Sequence, residues 1–120
     1  MSGSPTNSGR LAGKIALVTG AGGGIGSSIC RRYTQEGAIV IGADLVTPQV
    51  LDPALALEWV ELDVTCEESV KALRAHVARR HGRLDVIVNN AGAMVGKPLK
   101  DTSVEEFDRL YAINLRGPFL

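Results

Sequence analysis

The chain has 120 residues, with 13 basic and 13 acidic side chains and no formal net charge at pH 7. That length supports one small domain with a modest core, and the interspersed charges leave no basic stripe for nucleic acid. No apolar run nears the roughly 18 residues that cross a bilayer, which argues against a membrane partner. Fourteen glycines and only 4% aromatic residues suit tight turns and close α/β layers. Met1 to Gly9 is rich in Ser, Gly, Asn and Pro and lacks the apolar stretch of a secretory signal. Residues 1–10 are therefore expected as a flexible leader and 11–120 as the domain. Cys30 and Cys66 make neither a metal spacing nor a redox pair, so both are expected as buried free thiols in a reducing, cytoplasmic setting. No metal site is expected.

From Lys14 onward, short β-branched runs alternate with longer amphipathic stretches. Ile15 to Thr19 reads as a buried strand. After a glycine cluster, Ile25, Ile29, Cys30 and Tyr33 recur at helical spacing, and Gly37 stops that helix. Ala38 to Asp44 is the second strand. Residues 45–57 contain Pro48 and Pro53 and read as a loop with at most a short helix. Trp59 to Val64 is the third strand. Thr65-Cys-Glu-Glu68 has capping-box spacing and opens a helix with Val70, Leu73 and Val77 on one face, ending near His81-Gly82. Leu84 to Asn89 is the fourth strand, apolar on both faces and placed at an open edge. Thr102 or Ser103 caps a last helix, with Val104, Phe107, Leu110 and Tyr111 expected inward. Strand–helix alternation implies right-handed βαβ units. The expected fold is therefore α/β, a Rossmann-type doubly wound parallel sheet of about four strands in order 3-2-1-4.

Thr19-Gly-Ala-Gly-Gly-Gly-Ile-Gly26 sits between a predicted strand and a predicted helix, the setting a dinucleotide fingerprint requires. Glycines near Gly20 allow the turn. Gly24 permits close approach of a pyrophosphate, and Gly26 permits close packing of helix on strand. Amides at the helix start, around Ile25, then point at the phosphates. No Gly-Lys-Ser/Thr follows, so this is not a Walker loop. Asp44 ends the second strand 18 residues past Gly26. A carboxylate there accepts hydrogen bonds from ribose hydroxyls and repels a 2′-phosphate, and no basic residue follows in Leu45-Val-Thr47. NAD(H) is expected over NADP(H).

The spacing Thr-Gly-x-x-x-Gly-x-Gly, followed by Leu62-Asp-Val-Thr65, Asn89-Asn-Ala-Gly92 and Ile113-Asn-Leu115, resembles the short-chain dehydrogenase/reductase family over residues 11–120. The resemblance implies a cofactor site formed by Gly20, Gly22, Gly23, Gly24, Ile25, Gly26, Asp44, Leu45, Asp63, Val64, Asn90, Ala91 and Gly92. It puts Asp63 and Val64 at the adenine, or Asp63 serves only as a favourable charge near a helix start. It puts Asn90, Ala91 and Gly92 beside the ribose. It also implies hydride transfer between nicotinamide and a small alcohol or ketone, and a homo-oligomeric intact enzyme.

The family works with a serine and a Tyr-x-x-x-Lys pair, whose spacing sets both side chains on one helix face. Tyr33 is followed four residues on by Gly37 and Tyr111 by Leu115, so neither matches, and both tyrosines read as core. Only Asn114 matches a family catalytic position. It is expected on the inward helix face near Phe107 and Tyr111, either in a proton relay or as a satisfied structural asparagine. His76 and His81 read as exposed and unpartnered, and Arg79-Arg80 and Glu105-Glu106 as solvated faces. The expectation is the NAD-binding, N-terminal part of such an enzyme, inactive alone. The rival readings are a non-catalytic dinucleotide-binding module or an unstable truncated product.

Overall fold

A computed structural model describes residues 9–46, 57–94 and 96–120. Four parallel strands, β1 (Ile15–Thr19), β2 (Ile39–Asp44), β3 (Leu57–Glu61) and β4 (Val86–Val88), form one sheet in the order β3-β2-β1-β4. This is the expected doubly wound half. Pairing is in register from Ile15 against Ile39 to Thr19 against Ala43, and Leu17 lies against Ile87 on the other side. The strands alternate with α1 (Gly24–Gln35) and α2 (Glu67–His81). After β4 come a 3₁₀ turn at Leu99–Asp101, α3 (Val104–Tyr111), a π turn at Ala112–Arg116 and the short α4 (Gly117–Phe119).

Period-two alternation sends successive side chains of β1 to opposite faces. Ile15 and Leu17 join Ile41, Leu73 and Val77 under α2, while Ala16 and Val18 join Val40 and Cys30 under α1. Ile41 and Val18 are fully buried, each contributing about 1.5–3 kcal/mol of transfer free energy. α2 stops at Gly82, whose φ of 75° is the left-handed conformation that glycine adopts without a Cβ penalty.

Several expectations are corrected. The third strand runs 57–61, not 59–64. The Leu62 amide still reaches the Asp44 carbonyl at 2.8 Å, but the Asp63 carboxylate then captures the Thr65 amide and hydroxyl and bends the chain away. That capture removes the Thr65 hydroxyl from capping, so α2 begins one residue later than expected, behind Cys66, with no side-chain cap. Cys66 is exposed there, and only Cys30 is a buried thiol. The second strand starts at Ile39 and the fourth spans only 86–88.

On α1, Ile25 is 72% exposed because Gly26 and Cys30 take the inward positions. On the last helix, the stripe expected inward faces solvent: Val104, Phe107 and Tyr111 are 70%, 58% and 51% exposed. Among the described residues, nothing packs over it. Ser103 does cap α3, in a full capping box with Glu106. Glu106 also pairs with Lys97 at 2.8 Å, so it is not a merely solvated charge.

His76 and His81 are not unpartnered. Both imidazoles hydrogen-bond the Glu58 carboxylate on β3, which Arg80 joins at 2.9 Å. Glu58 is 19% exposed, and the cluster fastens the outer strand to α2. The expected loop is outside the described residues from 47 to 56, and so are the first eight residues of the expected leader.

Candidate functional site

The carboxyl ends of β1, β2 and β4 converge on one side of the sheet, and the chain leaves β1 and β4 through turns built from small residues. After β1, Gly20 turns with φ 64°, and a Cβ there would lie 3.0 Å from the Asn90 side chain. Gly23 forms the N-cap of α1 without a side-chain oxygen, so among the described residues the first helical amides have no side-chain cap. A Cβ on Gly26 would stand 2.1 Å from the Gly20 carbonyl oxygen, so only glycine lets α1 start this close to the turn. A Cβ on Gly24 would meet nothing within 4 Å. It faces open space, as the cradle for an anion must.

The Thr19 hydroxyl ties this turn to the one after β4. It donates to the Val88 carbonyl at 3.3 Å and accepts the Asn90 and Ala91 amides at 3.0 and 2.9 Å. The Asn90 side chain closes the link by donating to the Gly20 carbonyl at 3.2 Å. The sequence reading missed this role of Thr19, although a strand-ending threonine is its only visible signal.

Asp44 stands at the end of β2. Its Oδ2 accepts the Gly22 amide at 2.8 Å, and its Oδ1 accepts the Leu45 amide at 2.8 Å. Asp63 accepts the Thr65 hydroxyl at 2.6 Å and the Thr65 amide at 2.9 Å. The hydroxyl first, and then the amide, hold its carboxyl below the ordinary carboxylate range.

These groups surround a cleft of about 620 Å³, within the size range of small-molecule sites. Every residue expected at the cofactor except Gly22 lines it, and Gly22 instead holds Asp44 from behind the rim. Ala93, Arg109 and Ile113 also line it, and the sequence reading had not singled them out for this site. Arg109 and Ile113, four residues apart, share the helix face away from the Val104, Phe107 and Tyr111 stripe that the sequence reading took as inward.

Asn114 lies in that π turn and is exposed rather than set among inward residues. Its Oδ1 accepts the Ala93 amide at 2.9 Å and its Nδ2 donates to the Ala93 carbonyl at 2.8 Å. Arg116 donates to the Thr65 carbonyl at 3.3 Å, and Gly117 packs on Val64. The helix is thereby fastened along the third side of the cleft.

A second, apolar hollow of about 350 Å³ lies between α2, Ile87 and Pro118 and shares Leu62 and Val64 with the cleft. It lacks the convergent polar groups of the cleft. Among the described residues there is no group of His, Cys, Asp or Glu that could hold a metal ion, and no helix long and apolar enough to cross a membrane.

Residues 14–120 match the family model described as short chain dehydrogenase. The chain belongs to the short-chain dehydrogenase/reductase family. It is 39% identical to momilactone A synthase of Oryza sativa subsp. japonica, over 92% of this chain and 43% of that protein. The aldohexose dehydrogenase of Thermoplasma acidophilum, in ligand-free form, superimposes with a TM-score of 0.83 at 34% identity, over 91% of this chain and 41% of that one. A short chain dehydrogenase from Leptospira borgpetersenii serovar Hardjo-bovis, with bound NAD+, gives a TM-score of 0.81 at 31% identity, over 91% and 43%. The chain thus spans less than half the length of these relatives. The family binds nicotinamide dinucleotides, NAD or NADP. The residues present fit such a group: an open glycine cradle at a helix start, carboxylates at the ends of β2 and after β3, and small residues after β4.

Proposed function

We propose that this chain is the part of a short-chain dehydrogenase/reductase that binds NAD(H), in preference to NADP(H). The observation that carries the preference is the Asp44 carboxylate. It sits at the cleft wall after β2, buttressed by the Gly22 and Leu45 amides. Two amide donors hold it in place, and a carboxylate there favours ribose hydroxyls over a 2′-phosphate. Neither Gly22 nor Gly23 brings a cation into the glycine loop.

The amides at the start of α1 receive the diphosphate. Asp63 and Val64 border the base, and Asn90, Ala91 and Gly92 border the nicotinamide-side ribose. A bound nicotinamide supplies or accepts a hydride, which makes the reaction of the whole protein an exchange between an alcohol and a carbonyl compound. These 120 residues contain no Tyr-x-x-x-Lys. Asn114 serves by holding the backbone at Ala93, where the floor of the cleft turns toward its mouth. The exposed apolar stripe of α3 supports a homo-oligomer.

Calorimetric titration tests the preference. NAD is expected to bind at least about tenfold more tightly than NADP, a difference of ~1.4 kcal/mol. Asp44→Ala is expected to erase that difference. Equal or tighter binding of NADP by the unaltered chain would overturn the preference.

A further inference from the structure

We infer that Arg109 forms the outer wall of the adenosine end of the cleft, with its guanidinium plane lying across the purine of the bound dinucleotide. The inference rests on the nucleotide reading above and assigns to it a residue outside the glycine loop and both acidic positions.

Four observations carry it. Arg109 and Ile113, four residues apart, both face the cleft. Ile113 supplies an apolar side to a base, and Arg109 stands one turn further out. Arg109 is the only basic side chain among the described residues that line the cleft. Its guanidinium has no hydrogen bond or ion pair among the described residues, although two carboxylates line the same cleft. Those carboxylates are engaged elsewhere, Asp44 by Gly22 and Leu45, and Asp63 by Thr65. Finally, Arg116 on the Thr65 carbonyl and Gly117 against Val64 hold this helical segment beside residues 63–65, the wall that borders the base.

A planar cation over a purine face gains from stacking and from cation–π attraction, and it needs no donor that the base must match. The glycine-loop amides already serve the diphosphate, which leaves the base as the part of the ligand with an open face on this side. Lysine supplies only the cation–π part of such a contact, because its ammonium is a point charge without a plane to stack.

The test is titration calorimetry on the full chain with NAD and with ADP-ribose, using Arg109→Ala and Arg109→Lys, each checked by its thermal melt. Both variants are expected to melt as the unaltered chain does and to bind both ligands about two- to fivefold more weakly. Unchanged affinity in Arg109→Ala overturns the inference. So does wild-type affinity in Arg109→Lys, which would show that charge alone acts. If the unaltered chain binds neither NAD nor ADP-ribose, the nucleotide reading itself fails. That result is distinct from a variant that matches a binding parent.

Discussion

The side chain of Asn114 meets the backbone of Ala93 as a neighbouring strand would, accepting its amide at 2.9 Å and donating to its carbonyl at 2.8 Å. A primary amide is the only side-chain group of this length that offers both complements at once. Asn114→Asp keeps the acceptor and replaces the donor with a charge facing a carbonyl oxygen. Asn114→Leu removes both. Each is expected to lower stability by about 1–2 kcal/mol and to speed hydrogen exchange at the Ala93 amide. An unchanged exchange rate at Ala93 would show that the clamp contributes nothing.

Two neighbouring glycines should separate folding from binding. Gly26→Ala drives a methyl group into the Gly20 carbonyl oxygen at 2.1 Å, and a loss of about 3 kcal/mol or more is expected in a denaturant titration. Gly24→Ala meets no atom within 4 Å, so stability should hold or rise by up to about 1 kcal/mol. Its methyl enters the space proposed for phosphate, and NAD affinity should fall about tenfold, ~1.4 kcal/mol. The reverse pattern would remove the cradle assignment.

The cluster on β3 gives a pH dependence. Burial tends to raise the pKa of Glu58, but hydrogen bonds from His76 and His81, with the charges of His81 and Arg80, outweigh it and hold the carboxyl below 4.5. A carboxyl with a lowered folded-state pKa contributes stability that is complete above its unfolded value of 4.5. That contribution is lost as pH falls through the lower folded value. Acid melts should therefore steepen below pH 4.5. Glu58→Gln should cost about 1 kcal/mol at neutral pH and flatten that limb. An identical acid limb in the variant would count against the cluster as a fastener of β3.

The open edge at β4 should be adhesive. Ile87 is 56% exposed on β4, whose outer edge meets no strand among the described residues, beside the apolar hollow. Self-association that grows with concentration is expected in sedimentation, and Ile87→Lys should suppress it. A chain that stays monomeric at high concentration would refute this.

Thiol labelling should find one reactive cysteine. Burial pushes the Cys30 thiol up to about 11, whereas Cys66 is exposed at the start of α2. Native protein is expected to modify quickly at Cys66 and at Cys30 only on unfolding. Equal rates would contradict the packing under α1.

The strand order and the glycine turn were legible because both obey local rules. Ile15 to Thr19 is a continuous apolar run, and a run buried on both faces admits few alternatives. Glycines at 20 and 26 mark a turn followed by close helix packing. What escaped the sequence depends on partners remote in the chain. His76 and His81 look like solvent-facing helix residues until β3 brings Glu58 against them. Thr65 looks like a helix cap until Asp63 takes its hydroxyl. The apolar stripe of α3 reads as core by its period, but a period says only that a face exists, not that something covers it. Arg109 was invisible as a cleft residue because the apolar stripe expected inward put it on the opposite, solvent-facing side.

The Thr19 hydroxyl, with one donated and two accepted hydrogen bonds, has used its full capacity on the turn after β4. The glycine turn and the Asn-Ala-Gly turn therefore behave as one rigid plate rather than as two lips. A ligand settling on that plate pays little ordering entropy there. Discrimination among ligands then falls to the rim, at Asp44 and Arg109, and selection for a new cofactor should rework those side chains before it touches the plate.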